Sequence, residues 1–282
     1  MCRWERWALG ALLAFVVAAL AGYGTYGRHP EWLATQPSWA AGVYGAAFGV
    51  FAQGQVWLAG GVLVAVLMER AGGRWIPAFL ALYGVSLASE LAGTTWGVPF
   101  GAYRYGAALG VQWLDRVPVV IPLSWFCMAV ASFGVARLVT GESRRWWRVV
   151  VGSLVLLGWD LSLDPAMSWV TKYWFWGESG PYYGMPWLNL VGWYVTGLAL
   201  MTVLVWLRAE RWIDGIPVTW LSWYWLANLL MPLGMNALAG LGGAVLATLS
   251  ALGVFVAAVG LWGRRHAAGP TPVAVAVRGG GA

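Results

Sequence analysis

The sequence contains little charge and few of the residues that most catalytic or cross-linked proteins use. Only 10% of its 282 residues are charged and only eleven are acidic, whereas soluble domains carry about 25% charged residues. This composition excludes an ordinary soluble domain. Two cysteines, Cys2 and Cys127, are too few for a disulfide framework. Lys172 is the only lysine, and we expect no functional role for His29 and His266, which fall in a predicted loop and tail.

Long apolar segments take up most of the chain, which is 60% hydrophobic with a mean hydropathy of +0.68. A membrane span needs roughly 20 mostly apolar residues. We predict an all-α polytopic integral membrane protein with about eight transmembrane helices, in a single domain over residues 1–262, and a disordered tail over residues 263–282. We expect the first span to be retained rather than cleaved as a signal, and the seventh, which holds Asn228 and Pro232, is the weakest. The predicted spans are Trp7–Tyr23, Ala46–Met68, Trp75–Leu91, Val119–Val139, Trp147–Leu163, Trp187–Leu207, Val218–Met235 and Leu241–Trp262.

Basic residues are distributed unevenly between the predicted loops. With eight spans and a cytoplasmic N-terminus, 13 of the 17 basic residues fall on the cytoplasmic side and four on the other. Cytoplasmic loops of membrane proteins carry an excess of Lys and Arg. This distribution therefore predicts a plasma-membrane protein with both termini in the cytoplasm. Because topology accounts for the net charge of +6, we expect no nucleic-acid partner.

Two aromatic- and glycine-rich polar segments interrupt the apolar sequence, both on the predicted non-cytoplasmic side. They are residues 90–110 (ELAGTTWGVPFGAYRYGAALG) and residues 160–189 (DLSLDPAMSWVTKYWFWGESGPYYGMPWLN). Helical steps of three or four residues place Ser86 and Glu90 on one face of the third span, and Asp160 and Asp164 on one face of the fifth. Pro165 disfavours helical geometry at the residue before it, so we expect the fifth helix to end at Asp164. Acids at the edge of hydrocarbon are costly, which makes these three carboxylates candidate functional residues.

These segments resemble one protein family. The stretches ELAGTTWGVPFGAYRYGAALG followed by VPVVIPLSWFCM, and WDLSLDPAM followed by YWFWGESGPYYGMPWLNLVGWY, are similar to the membrane-bound carotenoid hydratases over residues 90–194. The resemblance implies a hydro-lyase of carotenoid biosynthesis, a carotenoid 1,2-hydratase. Such an enzyme adds water across the terminal C1=C2 double bond of an acyclic end group in γ-carotene, lycopene or a related isoprenoid. A haloarchaeal branch, the bisanhydrobacterioruberin hydratases, acts on longer carotenoids, and the sequence leaves the branch open.

The implied reaction needs two kinds of acidic group. A neutral carboxyl delivers a proton to one alkene carbon, and a low-dielectric pocket helps a carboxyl to keep that proton. An ionised partner accepts a proton from the water that captures the tertiary cation. We expect Asp160 to be the general acid, because Trp159 and other apolar neighbours flank it, and Asp164 or Glu90 to be the partner. Glu178, in a loop with Gly and Ser, is expected to be solvated.

Aromatic and amide side chains in the same segments are candidates for binding the substrate. Trp and Tyr faces stabilise a nearby cation by about 0.5–2 kcal/mol each, and Tyr and Asn can position a water molecule. We expect no metal and no redox cofactor. The expected partners are a carotenoid that enters from the bilayer, membrane lipids and, as a possible contact, other carotenoid enzymes. The candidate binding residues are Trp96, Tyr103, Tyr105, Trp159, Trp176, Tyr183 and Asn189.

Three other functions remain open at this point. A carotenoid cyclase also begins with alkene protonation, but an internal alkene rather than water captures the cation. Asp160 and Asp164 are spaced like half of the Mg²⁺ site of a membrane prenyltransferase, although such an enzyme needs a second acidic cluster and cations for diphosphate. A non-enzymatic lipid carrier would be expected to show internal repeats or paired broken helices, and the sequence shows neither.

Overall fold

Eight helices of at least 20 residues form the protein in a computed structural model, which describes residues 1–141 and 144–267. A ninth, α7, is a single turn. Each long helix overlaps one predicted span, because each span is a continuous apolar run between Gly, Pro or charged residues. The helices are α1 (Arg3–Gly22), α2 (Ser38–Ala71), α3 (Ile76–Trp96), α4 (Val120–Thr140), α5 (Arg145–Asp164), α6 (Trp187–Trp206), α7 (Glu210–Ile213), α8 (Val218–Leu238) and α9 (Gly242–Ala267).

The apolar helices confirm an all-α polytopic membrane protein. Six helical segments of the described chain are long and apolar enough to cross a membrane. One of them, Ser38–Trp96, is 59 residues long and contains both α2 and α3. The segments do not include α8, the span that the sequence marks as weakest, since it carries Asn228 and Pro232. The count of eight spans therefore stays a prediction.

Helix α4 lies at the centre of the bundle. It packs against α2, α3, α5, α8 and α9, and most of its length is buried, whereas α1 and α9 are mostly exposed. A helix that is apolar on all sides is expected in such a position. The central helix thus contributes side chains to the interior at every level of the bundle.

Two short antiparallel sheets cover one end of the bundle. Strand β1 (Tyr103–Tyr105) pairs with β4 (Trp174–Trp176), and β2 (Gln112–Trp113) pairs with β3 (Val117–Pro118). Because β1 follows α3 and β4 follows α5, the first pairing joins the two polar segments that are far apart in sequence. The predicted placement of both segments on one side of the bundle is confirmed. Whether that side is the non-cytoplasmic one stays a prediction.

The opposite end is held by ion pairs. Arg148 is fully buried at the start of α5, and its Nη2 lies 2.8 Å from Oδ1 of Asp214, which follows α7. Arg70 Nη2 lies 2.7 Å from Glu5 Oε1. A buried guanidinium needs such partners, because an unpaired buried charge is strongly destabilising.

Local sequence explains where the site-bearing helices end. Gly97 closes α3 with a φ of +74°, a left-handed conformation that glycine adopts without strain. The α-helical geometry of α5 ends at Asp164, as predicted, and the backbone then forms a π-helical turn over Pro165–Val170. Helix α9 extends to Ala267, which is within the predicted tail, and the single domain and the disordered tail stay predictions. Residues 268–282 of that tail lie outside the described residues.

Candidate active site

The β1–β4 pairing fixes the relative positions of the two polar segments. Tyr103 lies opposite Trp176, and Tyr105 lies opposite Trp174. Directly opposed residues in an antiparallel pair project to the same side, as do residues two apart in a strand. The four rings therefore form one aromatic surface, and they contact each other at centroid distances of 5.3–5.9 Å. This surface covers the ends of α3 and α5, where the acids lie.

Glu90 is the acid of α3, and it is 4% exposed. Its Oε2 accepts hydrogen bonds from the hydroxyls of Tyr103 and Tyr105, the second at 2.8 Å, and its Oε1 accepts one from Trp125 Nε1 at 2.7 Å. Gly93 lies one turn further along α3, where a Cβ would come within 2.8 Å of the Tyr103 ring. Glycine at this position lets the loop return onto the helix. Three donors around one carboxylate satisfy its ionised form.

Both tyrosines that contact Glu90 are held in their neutral, donating form. Burial raises the pKa of Tyr103 and Tyr105 well above the ordinary value of 10.0, and the adjacent Glu90 carboxylate adds to this effect. A phenol in this state can donate a hydrogen bond to the carboxylate throughout the physiological pH range.

Asp164 and Asp160 lie one helical turn apart on α5 and share an amide. Asp164 Oδ1 accepts hydrogen bonds from the indoles of Trp174 and Trp176 at 3.1 and 3.3 Å. Asn189 Nδ2 lies 2.6 Å from Asp164 Oδ2 and 3.1 Å from Asp160 Oδ2. Asp160 is fully buried, and its Oδ1 contacts no hydrogen-bonding partner within the described parts of the chain. The pair therefore has an oxygen that can carry a proton.

Glu90 and Asp164 line the same small cavity, which we call the acid cavity. Its volume is about 40 Å³. On the same measure of volume, a cavity of only about 10–15 Å³ can hold one water molecule. Asp160 is not among the residues that line it, so it lies behind Asp164. The lining residues are Glu90, Phe100, Tyr103, Tyr105, Ile121, Ser124, Trp125, Leu163, Asp164, Trp174, Trp176, Asn189 and Trp193.

A much larger apolar cavity, which we call the groove, adjoins the acid cavity. Its volume is about 450 Å³. One face of α2 lines it from Trp39 to Ala59, a distance of about 30 Å at 1.5 Å per residue. Trp39 and Val43 line the groove and are 66% and 60% exposed, so the groove opens to the outside of the bundle. Four residues line both cavities and form the boundary between them: Ile121, Ser124, Leu163 and Trp174.

The structure brings most of the predicted site residues together. Tyr103, Tyr105, Trp176 and Asn189 line the acid cavity and contact its acids, whereas Trp159 lines the groove. Besides Asp160, two predicted binding residues line neither of these cavities. Trp96 is 78% exposed at the end of α3, because the helix ends immediately after it and turns it outward. The hydroxyl of Tyr183 instead accepts a hydrogen bond from the backbone of Ala244 at 3.2 Å.

Three indoles belong to the site although sequence reasoning did not select them. Trp125 donates to Glu90, and Trp174 donates to Asp164. Trp193 stacks on Trp125 with ring centroids 4.0 Å apart. Trp193 follows Asn189 by one helical turn on α6, so helical spacing could have identified it. Glu178, expected to be solvated, is exposed.

Comparison with known proteins places this arrangement in a family. The carotenoid biosynthesis protein family matches residues 52–256, which include all three acids and most of the residues that line the two cavities. The chain belongs to this family. Its membership assigns this polytopic membrane protein to carotenoid biosynthesis. No solved structure matches the chain.

A curated relative is similar over much of the chain. It is the bisanhydrobacterioruberin hydratase of Haloarcula japonica, which is 27% identical over 197 residues. The similar region covers 68% of this chain and 62% of the relative. This chain therefore spans less than two thirds of that relative's length.

Proposed function

We propose that this carotenoid biosynthesis protein is a hydratase that adds water across the terminal C1=C2 double bond of an acyclic carotenoid end group. The observation that carries the proposal is that two buried acids, Glu90 and Asp164, share a water-sized cavity that adjoins an apolar groove about 30 Å long. An apolar groove suits an extended polyene, because burial of hydrocarbon there needs no polar partners. The name of the Haloarcula japonica relative, a hydratase, supports hydration as the reaction.

Protonation of the alkene is assigned to Asp164. Asp160 and Asp164 both contact Asn189 Nδ2, at 3.1 and 2.6 Å, so their Oδ2 atoms are no more than 5.7 Å apart. Two negative charges at that separation repel each other by about 3 kcal/mol at an effective dielectric constant of about 20. The pair is therefore expected to hold one proton, and we assign that proton to Asp164 during the reaction because Asp164 is the member that lines the cavity. Its proton is transferred to C2, and C1 becomes a tertiary cation.

Aromatic faces around the acid cavity stabilise this cation. Trp125, Trp174, Trp176 and Trp193 all line the cavity. Each indole face within reach of a cation contributes about 0.5–2 kcal/mol. Because the indole N–H groups of Trp174 and Trp176 donate to Asp164, they also stabilise the carboxylate that remains after protonation.

Capture of the cation by water is assigned to Glu90. A water molecule in the acid cavity donates a hydrogen bond to this carboxylate, and a lone pair on its oxygen forms the new bond to C1. The proton that water then loses goes to Glu90. The product is a tertiary alcohol, so the atoms of one alkene and one water are all accounted for. Return of the proton from Glu90 to Asp164, through water in the same cavity, completes the cycle.

Asp160 and Asn189 are assigned a positioning role in this scheme. Asn189 fixes Asp164 Oδ2 by the 2.6 Å hydrogen bond, and Asp160 provides the neighbouring charge that keeps a proton on the pair. The sequence favoured Asp160 as the proton donor. Its position outside the acid cavity favours Asp164 instead, and the two assignments predict different mutant behaviour.

The surroundings of the aspartates bear on the prenyltransferase alternative. Asp164 and Asp160 face N–H donors from Trp174, Trp176 and Asn189. Mg²⁺ is bound by oxygen ligands that must be free to face the ion. Because these oxygens already accept hydrogen bonds from N–H groups, they are less free to face a metal ion.

Pigment mass measured after expression in lycopene-producing or γ-carotene-producing cells tests the proposal. Hydration is expected to add the mass of one water to the pigment. An unchanged mass with altered absorption would replace hydration by cyclisation, and an added isoprenoid unit would indicate prenyl transfer. Expression with bisanhydrobacterioruberin as the substrate, compared with lycopene and γ-carotene, identifies the preferred end group.

A further inference from the structure

Ser124 of α4 lies where the acid cavity and the groove meet. It lines both cavities and is only half-buried, so part of it remains accessible. Of the four boundary residues, Ser124 is the one that carries a hydroxyl group. The next residue in the chain, Trp125, donates to Glu90 Oε1 at 2.7 Å. Ser124 therefore lies close to the carboxylate that is assigned to the capture of water. The other boundary residues are Ile121, Leu163 and Trp174.

The hydrogen bonds in the acid cavity leave Ser124 Oγ as an acceptor. Ser124 donates its hydroxyl hydrogen to the backbone carbonyl of Ile121 at 2.8 Å, a bond that serine often makes within a helix. A hydroxyl oxygen also has two lone pairs, which can accept hydrogen bonds from another molecule. Six other lining side chains already donate to Glu90 or Asp164, so water in this cavity meets mainly acceptors. These six are Tyr103, Tyr105, Trp125, Trp174, Trp176 and Asn189.

We propose that Ser124 positions the water molecule that captures the cation, an inference that rests on the proposed hydratase function. This water donates one hydrogen to Glu90 and the other to Ser124 Oγ. Two polar partners are enough to hold a buried water molecule. Because both hydrogens are donated, a lone pair of the water oxygen stays free to form the bond to C1. The proton that the water then loses goes to Glu90, and Ser124 neither gains nor loses a proton.

The boundary position gives Ser124 a role that Glu90 alone does not have. The polyene chain lies in the apolar groove, so its end group reaches the acid cavity past the boundary residues. A hydroxyl at that point holds the water on the side from which C1 arrives. A cation that meets no water loses a proton and returns to an alkene. Ser124 therefore affects which molecule captures the cation and not the protonation by Asp164.

Competition between water and methanol tests this role of Ser124. Both molecules can attack C1 through oxygen and pass a proton to Glu90, but methanol has one O–H hydrogen and cannot donate to Ser124 as well. Capture by methanol gives a tertiary methyl ether in place of the tertiary alcohol, and mass spectrometry separates the two products. The measurement is the ratio of ether to alcohol that the full chain forms from lycopene in membranes at a fixed methanol content. A ratio within one sample does not depend on the amount of folded protein.

Ser124→Thr and Ser124→Val form a matched pair, because the two new side chains have nearly the same shape and differ in the hydroxyl group. Threonine in a helix can make the same bond to a carbonyl three or four residues earlier. Loss of one hydrogen bond is expected to make the ether-to-alcohol ratio about two- to ten-fold higher for Ser124→Val than for Ser124→Thr. Ser124→Thr is expected to keep the ratio of the unaltered protein. Ser124→Ala removes the hydroxyl without adding a methyl group and is expected to raise the ratio as well.

Ser222→Val is the control for a change in helix packing. Ser222 Oγ donates to the backbone carbonyl of Val218 at 2.9 Å in α8, which is the same kind of bond that Ser124 makes. Ser222 is also half-buried, but it lines neither the acid cavity nor the groove. Its replacement is therefore expected to leave the ether-to-alcohol ratio unchanged.

Equal ratios for Ser124→Thr and Ser124→Val, with alcohol still formed, would overturn the role of Ser124 and leave the hydratase function in place. An increase that Ser222→Val reproduces would overturn it too, because the effect would then come from helix packing. The unaltered protein gives a further test that needs no variant. Its ratio is expected to be lower than that of acid-catalysed addition to the same alkene without protein, and equal ratios would contradict the proposal. If the unaltered protein forms neither product from lycopene, γ-carotene or bisanhydrobacterioruberin, the hydratase function fails and the role of Ser124 fails with it.

Discussion

Replacement of Asp164 by asparagine is expected to remove hydration while the protein still inserts into the membrane. The amide keeps the shape of the carboxyl group but has no acidic proton, and general acid–base groups typically contribute about 10²–10⁴-fold in rate. Its oxygen can still accept the hydrogen bonds from Trp174 and Trp176, which are 3.1 and 3.3 Å long in the unaltered protein. We therefore expect a rate loss of about 10²–10⁴-fold with the aromatic surface in place.

The same substitution has a cost in stability that must be measured beside activity. Asn189 Nδ2 donates to Asp164 Oδ2 at 2.6 Å, and asparagine at position 164 would place a second NH₂ group against it. An unpaired buried polar group costs about 1–3 kcal/mol. The double variant Asp164→Asn/Asn189→Asp restores a donor–acceptor pair, so it is expected to recover protein level without recovering activity.

Asp160→Asn is the matched control, because it makes the same chemical change one turn earlier on α5 and next to the same amide. Asp160 does not line the acid cavity. The Asp160→Asn variant is therefore expected to keep a hydration rate at least ten-fold higher than that of the Asp164→Asn variant, since general acid–base groups contribute about 10²–10⁴-fold. The assay compares initial rates of pigment conversion in membranes that contain equal amounts of each protein. The reverse order, with Asp160→Asn inactive and Asp164→Asn active, would refute the geometric argument and restore Asp160 as the proton donor.

Three further predictions concern the tyrosines and the topology. Replacement of both Tyr103 and Tyr105 by phenylalanine removes two hydrogen-bond donors from Glu90. Because hydrogen bonds to charged groups contribute about 1.5–3 kcal/mol each, hydration rates are expected to fall at least ten-fold. An unchanged rate would exclude both phenols from catalysis. Burial raises the pKa of both phenols above 10.0, so the unfolded chain loses these protons first, and the free energy of unfolding is expected to fall as pH rises above about 10. The double phenylalanine variant should show a shallower fall in a pH series of thermal unfolding, whereas an identical slope would contradict the assignment. Reporter fusions after Arg145 and after Lys172 are expected to give cytoplasmic and external signals respectively, and the opposite pattern would invert the topology.

Helical periodicity predicted the elements that carry the acids because those elements are locally determined. Glu90 lies on α3 and Asp164 lies on α5, as the sequence predicted, and the proline after Asp164 marks the end of the regular helix. Apolar run lengths likewise predicted the positions of the long helices. These features depend on residues within one or two turns of each other, which a sequence displays directly.

Long-range contacts account for what the sequence did not reveal. Trp125 reaches Glu90 across 35 positions in the chain, and Tyr103 and Trp176 meet only because β1 pairs with β4. Trp96 shows the opposite case, since it belongs to the same aromatic segment but points outward at 78% exposure. Aromatic composition therefore indicated a site, but only tertiary packing decides which rings belong to it.

The order of the two aspartates on α5 illustrates the same limit. Desolvation suggested Asp160, and its complete burial agrees with that reasoning. Catalysis also requires access to the substrate, and of these two aspartates only Asp164 lines the acid cavity. Sequence spacing placed both residues on one face of the helix but could not show which of them faces the cavity.

Incorporation of heavy-oxygen water into the pigment tests the central claim most directly. Membranes that contain the full chain would be supplied with an acyclic carotenoid in labelled water, and the product would be analysed by mass spectrometry. The account predicts one labelled oxygen in a tertiary alcohol at each converted end group, with no label when Asp164→Asn replaces the unaltered protein. A converted pigment that carries no label would contradict the claim that water captures the cation.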